Sequence, residues 1–213
     1  MLTLDTMRYR NSLAMDVRPG PLERAQAHVR DYEERERARR QDVWAVPIHL
    51  RLSDGLKELK PGEADTVIIA GMGGELIIKI LDEGRHVWDS VKQYVLSPQS
   101  DLDKVRRYLA AHGFAIEDEA MVKDEGKYYT VMSVKRGFME YESQAHYLYG
   151  KILIDKKDVI LREYLGREML RIEKILVSLQ AKDGITDTET RAEARISRQK
   201  ELSWIKEAQD EMQ

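Results

Sequence analysis

The apolar positions of this chain follow two regimes. Up to residue 137, short apolar runs alternate with segments whose apolar residues recur every three or four positions; beyond residue 150 only the helical spacing remains. Residues 12–17 and 48–52 read as short strands, and the Gly20-Pro21 pair between them opens a helix, with proline where its missing N–H costs little. The run TVIIA at 66–70 is β-branched and apolar, as in a strand covered on both faces of a parallel sheet. Gly71, Gly73 and Gly74 break it, and Leu76, Ile77, Ile80 and Leu81 then share one helical face. Residues 94–96 form another strand, which Pro98 stops. Ser100 or Asp101 can cap a helix running to His112, which Gly113 ends. Residues 114–122 and 128–134, joined around Asp124-Glu125-Gly126, read as an antiparallel hairpin.

Strands alternating with helices predict an α/β fold with a doubly wound, mostly parallel sheet, to which the hairpin adds an antiparallel edge. In the second regime Leu161, Leu165, Met169, Ile172, Leu176 and Leu179 form an apolar seam along one helix that Asp183-Gly184 ends. Thr186-x-x-Glu189 is a capping box for a second helix, with a thinner apolar face at Ile196, Leu202, Ile205 and Met212. The expected organisation is therefore an α/β domain over residues 1–138 and a coiled-coil-like helical hairpin over 139–213. The hairpin's role is structural, a surface for self-association, or RNA contact.

Composition narrows the chemistry. A length of 213 residues suffices for one domain with a real core and a smaller appendage. No apolar run approaches a membrane span, and residues 1–10 lack the apolar region of a signal peptide, so a soluble, cytoplasmic protein with no membrane partner is expected. The absence of cysteine excludes disulfides, thiolate metal sites and cysteine nucleophiles. His28, His49, His86, His112 and His146 are too scattered to suggest a metal site. A net charge of −3 argues against a broadly basic surface but leaves room for local patches. One is EERERARR at 33–40, which reads foremost as a solvated helix face with Glu/Arg pairs. Another is Lys104, Arg106 and Arg107, on the helix that follows Gln99, as candidate phosphate contacts.

The glycine turn is the strongest local signal. Three glycines within four residues let the backbone take positive φ and let a ligand approach the main chain without a Cβ in the way, beside the unpaired N–H groups of a helix start. A compact strand–helix turn with no ligand is the plain alternative. The pattern is neither G-x-G-x-x-G nor a phosphate-binding loop followed by Lys-Ser or Lys-Thr.

SLAMDVRPGPLERA at 12–25, RLSDGL at 51–56, IAGMGG at 69–74, LSPQS at 96–100 and EGKYY at 125–129 occur in the order and spacing of one family. The chain resembles the bacterial tRNA (adenine-22-N1)-methyltransferases, class I enzymes dependent on S-adenosylmethionine; the likeness is strong over residues 12–137 and architectural in the tail. It implies a Rossmann-like methyltransferase fold, S-adenosylmethionine as cofactor and tRNA as partner. By the same resemblance Asp16 receives the cofactor's ribose hydroxyls, while Asp54 accepts from the adenine amine and Gly55 leaves room for the ring. Gly71, Gly73 and Gly74 line the methyl-transfer face, with Met72 as an apolar wall and Gln99 as a partner for the base edge. No acid–base residue is singled out, because adenine N1 already carries a free lone pair and positioning dominates. Each aspartate also reads as a turn residue.

One departure stands beside these agreements. The family carries a motif close to D-I-G-S-D-H-A-Y-L before the segment that matches Ser12, whereas residues 1–11 contain no glycine. Two expectations follow: an N-terminally truncated methyltransferase that binds its cofactor weakly, or a non-catalytic remnant that binds RNA or a protein partner.

Overall fold

The computed structural model describes residues 11–39, 48–180 and 189–213. Strand β1 (Ser12–Asp16) leads into helix α1 (Pro19–Arg39), and β2 (Ile48–Leu52) returns parallel to β1, with Asp16 opposite Leu52. Strand β3 (Thr66–Met72) runs through the glycine turn into α2 (Gly74–Glu83). A short 3₁₀ turn at Arg85–Val87 precedes β4 (Gln93–Pro98), which lies parallel to β3. Helix α3 (Leu102–Ala111) follows, then the antiparallel hairpin of β5 (Phe114–Asp124) and β6 (Lys127–Arg136). Glu125 and Gly126 at its tip both have positive φ, 46° and 78°, the geometry of a type I′ turn, whose twist matches that of the flanking strands.

The α/β character, the parallel pairs and the antiparallel hairpin are as the pattern predicts. The described strands form a two-stranded sheet, β1-β2, and a four-stranded sheet, β3-β4-β6-β5. Among the described residues no strand pairs with the outer edge of β1 or of β3. The strand that the family resemblance places ahead of Ser12 would fall on residues 1–10, outside those described. Nor is β3 covered on both faces: Val67 and Ile69 are buried, but Ile68 is 67% exposed.

The chain divides into two compact units, residues 1–64 with 79–90, and residues 65–78 with 91–213. In the first, Arg51 on β2 grips the loop that follows it, donating to the Glu63 carboxylate at 2.5 and 2.7 Å and to the Glu58 carbonyl at 2.8 Å. Leu56 and Leu59 from that loop are buried, and the Trp88 indole donates to the Leu81 carbonyl at 2.9 Å.

In the second unit Tyr94, Leu96, Phe114, Met132 and Val134 of the sheet are buried, as are Val105 and Leu109 of α3. A π-helical turn (His146–Gly150) then leads through α4 (Lys151–Asp155) to the long helices α5 (Val159–Gln180) and α6 (Glu189–Glu211). Leu161, Leu165 and Ile172 of the expected seam are fully buried, in one cluster with Met121 of β5 and Ile205, Ala208 and Met212 of the C-terminal segment. Within the second unit the helices thus share a core with the sheet. Asp183-Gly184 and Thr186 lie outside the described residues, as does Arg40 of the EERERARR run. Among the described residues no helix is long and apolar enough to cross a membrane.

Candidate active site

The three glycines of the turn do different jobs. Gly71 sits at φ +75°, where the β3–β4 register shifts between Ala70 and Met72, and nothing lies within 4 Å of the point its Cβ would occupy. A Cβ on Gly73 would stand 3.1 Å from the Ser100 hydroxyl. One on Gly74 would stand 2.5 Å from the Ser100 carbonyl oxygen and 2.9 Å from that of Asp101. Gly74 is therefore a packing glycine that lets the start of α2 meet the loop before α3, whereas Gly71 is the position where bare backbone is open to a ligand.

Two backbone hydrogen bonds lace these loops together. The Gln99 N–H donates to the Met72 carbonyl at 2.9 Å, and the Gly74 N–H to the Ser100 carbonyl at 3.1 Å. Met72 and Gln99, singled out separately in the sequence, are thereby brought side by side at the C-terminal ends of parallel strands, the edge at which open α/β sheets bind ligands. Asp101 is held in the left-handed region at φ 54°, its carboxylate accepting from the Ser100 hydroxyl at 2.7 Å. It occupies the N-cap position of α3, but neither its side chain nor that of Ser100 makes the expected capping bond to the helix.

The basic helix is corrected by its packing. Arg106, expected to meet phosphate, is fully buried. Its guanidinium contacts Glu119 of β5 at 2.9 and 3.0 Å and donates to the carbonyls of Tyr147 and Leu148 at 2.7 and 3.0 Å. It braces the π-helical turn against the sheet and is unavailable to RNA. The sequence held the signal: Leu102, Val105, Arg106 and Leu109 are spaced three and four apart, which puts Arg106 on the apolar face of its helix.

Lys104 is exposed but committed, bridging Glu75 at 2.5 Å and Asp101 at 3.1 Å, two carboxylates that raise its pKa further. Arg107 is exposed, donates to Gln144, and lies 3.9 Å over the ring of Tyr147, which stacks on Tyr141.

In the first unit Asp16 ends β1. Its Oδ1 accepts from the Arg18 N–H at 2.8 Å, a local turn, and its backbone carbonyl accepts from the Ser53 N–H at 2.9 Å. The Asp16 terminus and the turn after β2 are thus brought together. Ser53, which the sequence reading passed over, is buried, donates to the Gly55 carbonyl at 2.8 Å and accepts from the Glu58 N–H at 3.2 Å, so it shapes the Asp54-Gly55 turn. Asp54 pairs with Lys57 at 2.5 Å, which lowers its pKa, and Lys57 also meets Glu83 at 3.1 Å. Gly55 has φ +62°, and a Cβ there would stand 3.0 Å from Ile80, so packing alone accounts for that glycine. Among the described residues no group of three His, Asp or Glu is placed to hold a metal ion.

Residues 2–202 match the family described as TrmK, tRNA (adenine(22)-N(1))-methyltransferase. The chain is 31% identical over 133 residues to the tRNA (adenine(22)-N(1))-methyltransferase of Bacillus subtilis, covering 60% of this chain and 56% of that protein. It spans about half the length of the curated relatives it matches. Among solved structures, a Streptococcus pneumoniae protein in complex with S-adenosyl-L-methionine superposes with a TM-score of 0.75 at 26% identity, covering 93% of this chain and 81% of that one. The B. subtilis M1A22 tRNA methyltransferase TrmK does so with a TM-score of 0.73 at 25% identity, covering the same shares, 93% and 81%. With its glycine turn and its aspartate-terminated strand in the places the motifs predicted, this chain belongs to the TrmK family of tRNA (adenine(22)-N(1))-methyltransferases.

Proposed function

We propose that this chain transfers a methyl group from S-adenosylmethionine to N1 of an adenine in tRNA. The observation that carries the reading is Gly71, an open, positive-φ glycine at the end of a parallel strand, in a chain of this family. Relatives named for this reaction, and one solved with the cofactor, support it.

Each unit, taken by itself, holds residues that fit part of such a cofactor. Among the described residues Oδ2 of Asp16 has no hydrogen-bond partner, so the carboxylate can accept from a ribose hydroxyl while Oδ1 keeps its turn. Asp54 can accept from an exocyclic amine in competition with Lys57, and Gly55 belongs to the same turn. When bound, the cofactor supplies a methyl group already activated on a sulfonium. The protein's part is then to position and to exclude water. Met72 offers a partly exposed apolar wall, Gln99 an amide for the base edge, and Gly71 the close-approaching backbone, with Gly73 and the packing glycine Gly74 completing the turn. Arg107 and, through its partial pairing, Lys104 remain candidates for phosphate contact. A cytoplasmic setting accords with a tRNA substrate. A non-catalytic binding module is not favoured, since the turn keeps an opening that packing does not require.

Calorimetric titration with S-adenosylmethionine tests the reading. Asp16→Ala should weaken binding by about ten- to a hundredfold, the loss of a charge-assisted hydrogen bond worth about 1.5–3 kcal/mol. Equal affinity in the wild type and Asp16→Ala would remove Asp16 from the site, and no binding by the wild type would overturn the proposal.

A further inference from the structure

The second unit holds a cavity of about 310 Å³ where the first turn of α3 faces α5 and α6, a size within the range of ligand pockets. Its walls include Tyr149, Tyr164 and Trp204, together with three carboxylates, Asp103, Glu168 and Glu201. None of the residues assigned above to cofactor or target base lines it. Two of the carboxylates are already neutralised. Arg171 pairs with Glu168 at 2.8 Å and with Glu201 at 3.4 Å, and Arg198 pairs with Glu201 as well. Asp103 has no ion-pair or hydrogen-bond partner among the described residues, so it presents an unused acceptor to an aromatic-walled space.

We propose that this cavity is a second nucleobase subsite, which takes an unstacked tRNA base bearing an exocyclic amine, distinct from the base that is methylated. It rests on the tRNA reading above. Flat aromatic walls stack on any base, because every base has a π-face. The acceptor at Asp103 selects among them: adenine, cytosine and guanine each present an exocyclic amine donor, whereas uracil's exocyclic groups are both carbonyl oxygens, which flank its one edge donor, N3–H, and repel the carboxylate. Burial raises the pKa of the Tyr149 and Tyr164 hydroxyls, so both stay neutral donors at physiological pH. A phosphate is disfavoured inside by Asp103, while the half-exposed Arg171 at the rim suits the backbone of a nucleotide whose base points in.

The test uses the full chain and single-stranded nonamers of adenylate, cytidylate and uridylate, with filter binding measured across a salt series. The wild type should hold the adenine and cytosine oligomers several-fold tighter than the uracil one. Trp204→Ala should weaken both by about tenfold with an unchanged salt slope, because stacking releases no counterions. Trp204→Phe should keep most of the affinity, and Asp103→Ala should abolish the preference over uracil without that general loss. Equal binding of the three oligomers by the wild type would overturn the proposal. So would unaltered preference in Asp103→Ala, which decides the matter even if Trp204→Ala fails to fold. A reduced salt slope in Trp204→Ala would mean a phosphate contact, and an oligo-arginine peptide bound through Asp103 with RNA unaffected would mean a protein-docking cleft; either result rejects the subsite. Cofactor titration is read separately, so loss of base preference with intact S-adenosylmethionine binding rejects the subsite alone.

Discussion

Replacing Arg106 with methionine separates a buried brace from a phosphate ligand. The substitution keeps an unbranched apolar stem but removes a guanidinium that meets Glu119 at 2.9 and 3.0 Å and the carbonyls of Tyr147 and Leu148 at 2.7 and 3.0 Å. Glu119 is as buried as Arg106, so its carboxylate would be left unpaired in the interior. Breaking a buried pair from one side costs about 3–5 kcal/mol. That is a large share of the roughly 5–15 kcal/mol by which a domain of this kind is stable. With a urea slope of about 1–3 kcal/mol/M, the unfolding midpoint should fall by about 1 M or more. Adding Glu119→Leu should recover part of the loss, since the stranded charge is gone. Recovery should stop short of the wild type because the two carbonyls lose the charged donor that Arg106 supplies, at about 1–3 kcal/mol each. The measurement is urea unfolding of the wild type, the single variant and the double variant. A midpoint shift of only a few tenths of a molar for Arg106→Met, with a tRNA salt slope lowered by about one unit, would refute this reasoning and return Arg106 to the RNA-binding surface.

Other substitutions test the local geometry. Gly150 has φ +94°, and a Cβ there would stand 2.5 Å from Glu119 Oε2; Gly150→Ala should cost more than about 1 kcal/mol in thermal or urea unfolding, and a neutral result would mean that the turn relaxes freely. Gly74→Ala, which drives a Cβ onto the Ser100 carbonyl, should destabilise the fold, whereas Gly71→Ala, strained only by its φ, should cost about 1–2 kcal/mol and chiefly weaken cofactor binding. The reverse order in paired melting and calorimetry would show that Gly71 serves packing. The hydrogen bond from Arg51 holds the Glu63 pKa down to about 2. A depressed carboxylate stabilises the fold above its unfolded pKa and loses that contribution as pH falls through the folded value. Glu63→Gln should therefore flatten the acid loss of stability between about pH 4.3 and pH 2, and an unchanged pH profile would discount the pair.

Periodicity was enough to read most elements because each carries its own signal: a β-branched run for β3, short apolar runs for β1 and β2, the Glu125-Gly126 turn for the hairpin, and the Leu161 seam for α5. The ends of β1 and β3 stood out as candidate site positions because an aspartate or a glycine cluster closes each strand, although both also read as turn residues. What escaped was long-range. Arg106 looked like a surface cation because its partner, Glu119, lies thirteen residues away on another element, and only the stripe of Leu102, Val105 and Leu109 hinted at burial. Lys104 likewise looked free until Glu75, twenty-nine residues away, came to meet it. The packing of the tail on the sheet was hidden for the same reason, since β5 buries Met121 among the helices, a contact that no local pattern encodes. Nor does strand periodicity say which edges find partners, so the order β3-β4-β6-β5 among the described strands had to come from the structure.

The central claim is methyl transfer to adenine N1. The most direct measurement incubates the full chain with unmodified tRNA and isotopically labelled S-adenosylmethionine, then identifies the labelled nucleoside by mass spectrometry of the nuclease digest. The account predicts label in N1-methyladenosine, reduced by Asp16→Ala and by Gly71→Val. Label in another nucleoside, or none from a chain that binds both tRNA and cofactor, would contradict it.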